Sequence, residues 1–241
     1  MTTQIEKLDF LKTQDIDADK DLYLLLNIKT CEKQSEKQLE KQSEKPLEKP
    51  LETPSIHVLN KIACKYGYIE YFETECSKCS DSDEINSEFL CLLRKKSHSY
   101  FKIASRYGKI DILQWLKQFG STSVGKLYGL GLAYDHKSIN YASRNGNIDI
   151  LNWWLGSGLE LVYDSRAINY ASGNGHTNVL DWWLKSGLEL DYNSKAINYA
   201  STNGHSNVLD WWLKIKINSK IRLEYDCDAI NNASINGKEK M

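Results

Sequence analysis

Four cysteines spaced C-x11-C-x2-C-x11-C have the clearest capacity for chemistry in this sequence: Cys64, Cys76, Cys79 and Cys91, with His57 and His98 outside them. Zinc asks for four soft ligands converging tetrahedrally, and the single C-x2-C supplies half of such a site. The outer pair has a plainer reading. Cys64 stands in ACKYG and Cys91 in FLCLLRKK, where packing on an apolar helix face accounts for both. Structural thiols are therefore expected and no metal is assigned, with a zinc-stabilised module as the alternative. Two further cysteines, Cys31 and Cys227, complete a set of six. The N-terminus lacks the basic-then-apolar layout of a signal peptide. Reduced thiols in the cytoplasm or nucleus, not a secreted disulfide framework, are the expectation.

Other chemistry finds little support. His176 and His205 recur at one position of a repeat and are read as structural. The glycines of GKLYGLGL (Gly125, Gly129, Gly131) lack a following GK[ST] and a preceding strand, so they read as an enlarged connection, not a phosphate cradle. No nucleophile–base–acid set is present. A non-enzymatic protein without a cofactor is expected.

The elements that position these residues are written more than once. AINYASGNGHTNVLDWWLK begins at Ala167 and AINYASTNGHSNVLDWWLK at Ala196. The pattern A-x-x-x-G occurs at Ala63/Gly67, Ala104/Gly108, Ala142/Gly146, Ala171/Gly175, Ala200/Gly204 and Ala233/Gly237, with alanine spacings of 41, 38, 29, 29 and 33 residues. Tightly matched central copies with irregular outer ones suit a solenoid, whose end repeats face solvent on one side.

In each copy an Asx residue (Asp135, Asp164, Asn193, Asp226) precedes the first helix and reads as an N-cap or Asx-turn. Ile168, Ala171 and Ser172 fall at helical spacing, the small pair permitting close approach. Gly175 stops that helix, and a second starts near Thr177 or Asn178. Val179, Leu180, Trp182, Trp183 and Leu184 leave only Asp181 polar, which implies a helix sandwiched between its hairpin partner and adjacent copies. Adjacent tryptophans point about 100° apart, one expected forward along the stack and one onto the partner helix. The predicted core includes both registers, Trp154, Trp183 and Trp212 with Trp153, Trp182 and Trp211, besides Ala142, Ala171, Ala200, Gly146, Gly175 and Gly204. An aromatic nucleic-acid stripe is the weaker alternative, because a base-stacking platform wants basic neighbours and these are mixed.

Upstream, residues 1–30 hold LYLLLNI from Leu22, read as a short element of one helix. Residues 31–54 carry E-K-[QP]-[SL] five times, with Pro46, Pro50 and Pro54, and read as a solvated linker. The chain has 241 residues, 41% hydrophobic, with 31 Lys and Arg against 32 Asp and Glu. That balance offers no footprint for nucleic acid or anionic membrane, and no apolar run approaches the ~18 residues a membrane span needs.

The line A-S-G-N-G-H-T-N-V-L-D-W-W-L-K-S-G-L from Ala171 resembles the ankyrin repeat. Gly175-His176 and Gly204-His205 match its central G-H, and Gly158 and Gly187, with Gly120 more loosely, match its closing glycine. Arg166-Ala167-Ile168-Asn169 replaces the family's T-P-L-H, and the shortened period implies stunted fingers. The Trp- and Asn-rich style is similar to ankyrin-repeat proteins of giant DNA viruses. The resemblance implies an all-α helical-hairpin solenoid: a degenerate capping repeat (55–96), a divergent repeat with the inserted loop (97–136), ankyrin-like repeats (137–165, 166–194, 195–227) and a truncated one (228–241). It implies a monomeric scaffold binding a host or viral protein through its concave and loop surface, with no nucleic acid or membrane as partner. Candidate contact residues are Lys137, Arg166 and Lys195 after the Asx cap, Tyr163 and Tyr192 before it (Tyr134 and Tyr225 being their equivalents), and Glu160 and Glu189 on the fingers. The competing reading packs the tyrosines between turns and leaves the charges merely solvated. A substrate-recruiting adaptor of a ubiquitin ligase is the functional alternative; its docking element would have to lie in residues 1–30.

Overall fold

The computed structural model describes residues 55–80, 88–122, 126, 133–218, 223, 225, 227 and 229. The readings made above for residues 1–54, for the glycine loop, for Asp226 and for the Ala233/Gly237 copy lie outside them. Two compact units divide the chain at Ile62 and Ala63. Of the first, only 55–62 is described, as the opening of helix α1 (Ile56–Tyr66). The second continues with α2 (Ile69–Ser80), α3 (Glu88–Arg106), α4 (Ile110–Ser121), α5 (His136–Arg144), α6 (Ile148–Gly156), α7 (Arg166–Gly173), α8 (Thr177–Lys185), α9 (Lys195–Asn203) and α10 (Ser206–Asn218). Among the described residues the fold is all-helical.

One local device makes the hairpins. After α7, Asn174 leads to Gly175 at φ +78°, where a side chain would be strained. The N–H of His176 then donates to the Ala171 carbonyl at 3.0 Å and that of Gly175 to Ser172 at 3.2 Å, the pairing that closes a helix on a left-handed residue. His176 itself lies at φ −86°, ψ 73°, an inverse γ-turn with Thr177 N–H bonded to Gly175 O at 3.1 Å. The chain thus reverses within two residues and starts α8. The same bond to the A-x-x-x-G alanine recurs at Ala63, Ala104, Ala142 and Ala200.

Hairpins follow one another in chain order. Helix α7 packs against α5 and α9, α5 against α3, and α8 touches both α6 and α10. On these first helices Ala142, Ala171 and Ala200 are all fully buried. The serines that follow Ala104, Ala142 and Ala171 each meet an indole from the next copy. Trp154 Nε1 donates to Ser105 Oγ at 3.0 Å, Trp183 to Ser143 at 3.2 Å and Trp212 to Ser172 at 3.2 Å. These three tryptophans are fully buried. Burial of one removes roughly 150–250 Å² from water, an upper bound near ~4–6 kcal/mol at ~25 cal/mol per Å².

The other tryptophan register corrects the expected core. Trp153, Trp182 and Trp211 are only half-buried. Their N–H groups reach Gln114 (3.2 Å), Asn152 (2.7 Å) and Asp181 (2.7 Å), each on the preceding second helix. Both indoles of a pair therefore lean toward the preceding copy, one inside and one along the outer edge, so neither points forward. The sandwich reading is corrected as well. Leu184 is 40% exposed, with Leu155 and Leu213 its exposed equivalents, because the outer side of each second helix meets no further element among the described residues.

The structure also bears on the expected boundaries at 96/97, Gly120, Gly158 and Gly187. The 96/97 division falls inside α3, a single helix of 19 residues. Gly120 lies within α4, which runs to Ser121, so it closes nothing. Gly158 and Gly187 do close α6 and α8, at φ +71° and +77°. Ser157 and Ser186 help there, donating to the Trp154 and Trp183 carbonyls and accepting from the N–H of Leu159 and Leu188. From there to the next first helix the chain makes turns without strand.

Candidate interaction surface

The Asx residues do more than start helices. Asp135, Asp164 and Asn193 accept the N–H of Lys137, Arg166 and Lys195 at 3.0, 3.0 and 3.1 Å. Asp164 and Asn193 also accept the side-chain amides of Asn140 (2.7 Å) and Asn169 (3.0 Å) from the preceding first helix. One residue therefore fixes both the start of its helix and its height relative to the neighbouring copy. Sequence reasoning missed this ladder. Its signal was present as the recurring I-N-Y, with Asn140 and Asn169 each 24 residues ahead of the Asx they bond.

That ladder carries the cationic candidates. Lys137, Arg166 and Lys195 occupy equivalent positions at the starts of α5, α7 and α9, and all three are exposed. Lys137 lies 3.6 Å from the Asp135 carboxylate. Arg166 Nε bonds both oxygens of Asp164 at 3.1 Å, and its Nη2 meets His136 Nε2 at 2.7 Å. The Arg166 guanidinium is the main reason the Asp164 carboxyl is held down to about 2; partial burial opposes it and Asn140 reinforces it.

Tyr163 and Tyr192 are set by packing. Their rings lie 4.8 and 4.7 Å from those of Trp183 and Trp212, and Tyr134 lies 5.1 Å from Trp154. The Tyr163 hydroxyl donates to the Glu189 carbonyl at 3.2 Å, and burial pushes its phenol upward, helped by the Glu189 charge. Both rings remain half-exposed, beside turns that carry Glu160 and Glu189 in the open. The packing and the contact readings therefore fall on the same side chains.

The two histidines lie over glycines. A Cβ on Gly146 would stand 3.0 Å from His176 Nδ1, and one on Gly175 2.8 Å from His205 Nδ1. Asn147 and Lys109 cover Gly108 and Gly67 in the same way. Burial lowers the His176 imidazole, against a hydrogen bond to the Arg144 backbone that raises it. The asparagines before Gly146, Gly175 and Gly204 cross the seam to the preceding copy: Asn145, Asn174 and Asn203 donate to the carbonyls of Arg106, Arg144 and Gly173.

Of the cysteines, Cys64 is buried, which pushes its thiol well up, while Cys91 is exposed and Cys76 half-buried. The Cys79 side chain lies outside the described residues. Among the described residues no three His, Cys, Asp or Glu side chains converge on a point that could hold a metal, and no helix is long and apolar enough to cross a membrane. No protein-family model matches the chain, and no curated protein matches it.

Proposed function

We propose that this chain is an ankyrin-type, non-enzymatic scaffold that binds a protein partner along the edge formed by its turns and first helices. The reading is supported chiefly by one observation: Lys137, Arg166 and Lys195 are exposed at equivalent positions on neighbouring helices whose heights are fixed by Asn–Asx bonds. A surface held this way has little backbone freedom left to lose, so partner binding is spared part of the ordering cost. Tyr163, Tyr192, Glu160 and Glu189 extend the same edge. Its departures from the ankyrin pattern, strandless turns and a 29-residue period, leave a flatter rim than long fingers would.

The test is affinity purification with mass spectrometry, comparing the full chain with a Lys137→Glu, Arg166→Glu, Lys195→Glu variant. Loss of a defined set of proteins from the variant is expected. A variant that keeps its helical content and every partner would overturn the assignment of this edge.

A further inference from the structure

The exposed face of the first helices carries a pattern that the edge residues only begin. On α5, Lys137, Tyr141 and Arg144 stand at i, i+4 and i+7, one side of a helix. Arg166 and Tyr170 repeat the first two positions on α7, and Lys195 and Tyr199 on α9. Helix α3 adds Arg106, in register with Arg144, and Tyr107 follows it. Because α3, α5, α7 and α9 are neighbours in order, the four faces join into one.

Charge is sorted onto this face. Helices α5, α7 and α9 contain no Asp or Glu, and α3 has only Glu88, in its first turn. Asp111, Asp149, Asp181 and Asp210 all stand on second helices. Among the described residues, Lys137 and Arg166 have carboxylate partners at the helix starts, whereas Arg106 and Arg144 form no ion pair.

The ring geometry narrows what such a face can bind. Arg106 lies over Tyr107 and Tyr141, each 5.4 Å from guanidinium carbon to ring centroid, and Arg144 lies 5.3 Å over Tyr170. Tyr170 and Tyr199 stack at 6.5 Å and 13°. Gly173 makes that stack possible, since a Cβ there would stand 2.8 Å from Tyr199 Cβ. Tyr170 thus sits between Arg144 of α5 and Tyr199 of α9. A nucleobase needs an open ring face to stack on; Tyr170 has neighbours on both sides, and Tyr107, Tyr141 and Tyr199 each have at least one face taken by a guanidinium or a ring. What remains is a row of guanidinium N–H and phenol O–H groups. Guanidinium held flat on a ring keeps its fork of donors for carboxylates.

We propose that the face binds an acidic peptide segment, laid across α3, α5, α7 and α9 with its carboxylates on Arg106, Arg144 and the tyrosine hydroxyls. This rests on the scaffold reading and specifies its partner's chemistry. Four helices about 10 Å apart span about 30 Å between their outer axes and about 40 Å from edge to edge. An extended segment of about twelve residues at ~3.3 Å each crosses that distance.

The test uses the full chain and fluorescence anisotropy. The probes are a labelled peptide of that length alternating glutamate and serine, its glutamine counterpart, and an oligouridylate of similar length. Saturable, salt-weakened binding of the glutamate peptide alone is expected. Arg106→Gln with Arg144→Gln should weaken it about tenfold or more. Lys185→Gln with Lys214→Gln, the same charge change on second helices, should stay within about twofold of the parent. Tyr141→Phe, Tyr170→Phe and Tyr199→Phe together keep the rings and should cost about threefold. Equal binding of the glutamine peptide, equal loss in the second-helix variant, tighter binding of the oligouridylate, or no binding of the glutamate peptide would each overturn the proposal. The affinity purification keeps the two readings apart. Partners captured by the parent and retained by the Arg106, Arg144 variant sink the acidic-segment proposal alone, while a parent that captures nothing sinks the scaffold.

Discussion

Trp183 is fully buried with its N–H on Ser143, whereas its neighbour Trp182 is half-exposed with its N–H on Asn152. Truncation should separate them. Trp183→Ala leaves a cavity and an unpaired serine and should cost about 3–5 kcal/mol, while Trp182→Ala should cost about 1–2 kcal/mol; urea unfolding followed by far-UV circular dichroism measures both. Equal losses would contradict the two environments. Titration at Asp164 and His176 gives separate windows. The Asp164 carboxyl is held at about 2 in the fold, mainly by Arg166, against an ordinary value near ~3.9. Its contribution to stability is present above that ordinary value and is lost as pH falls toward 2. The stability gap between the parent and Asp164→Asn should therefore narrow from pH ~4 downward. His176 is lowered by burial, so the folded chain prefers the neutral ring and loses stability as pH drops below the usual imidazole value of ~6.5. His176→Gln should flatten that part of the unfolding profile and leave the acid limb in place.

Hairpin reversal can be tested at glycines that share a backbone conformation and differ in surroundings. Gly175 and Gly187 lie at φ +78° and +77°, but a Cβ on Gly175 would stand 2.8 Å from His205 while one on Gly187 meets nothing within 4 Å. Gly187→Ala should cost only the left-handed strain, about 1–2 kcal/mol, and Gly175→Ala distinctly more. A cycle with His205→Ala should recover that excess, leaving a coupling of about 0.5–3 kcal/mol; no coupling would mean the imidazole does not bear on the turn. Such glycines were legible in the sequence because N-G and A-x-x-x-G recur at the stops of 3.6-residue patterns. The directions of Trp182 and Trp183 were not. Periodicity fixes their angular separation on α8 but cannot tell on which side the preceding copy lies. The 96/97 boundary was invisible for a related reason: EFLCLLRKKSHSYFKIASR runs on as one unbroken helix, without the Asx that starts α5 and α7. Tyr141, Tyr170 and Tyr199 escaped notice because an aromatic at that spacing reads as core until the neighbouring helices show it half-exposed or exposed.

Across the whole chain a net charge of −1 conceals the absence of acids from α5, α7 and α9, whose neighbouring second helices carry Asp149, Asp181 and Asp210, since composition averages over faces. Connectivity has a consequence that composition also hides. The described hairpins of the second unit touch chiefly their neighbours in sequence, so stability should be a sum over copies and seams rather than one global term. Each buried tryptophan belongs to one seam: Trp183 joins α7–α8 to α5, and Trp212 joins α9–α10 to α7. Cutting a seam should let the part beyond it open separately. Hydrogen exchange read by mass spectrometry should show Trp212→Ala speeding exchange in 195–218 while leaving 136–185 near the parent. Trp183→Ala should speed exchange from 166 onward and spare α3 and α4, which lie on the far side of the α5–α6 hairpin. A uniform rise over all these helices in either variant would mean that the copies unfold as one cooperative body. The seams would then be no weaker than the hairpins they join.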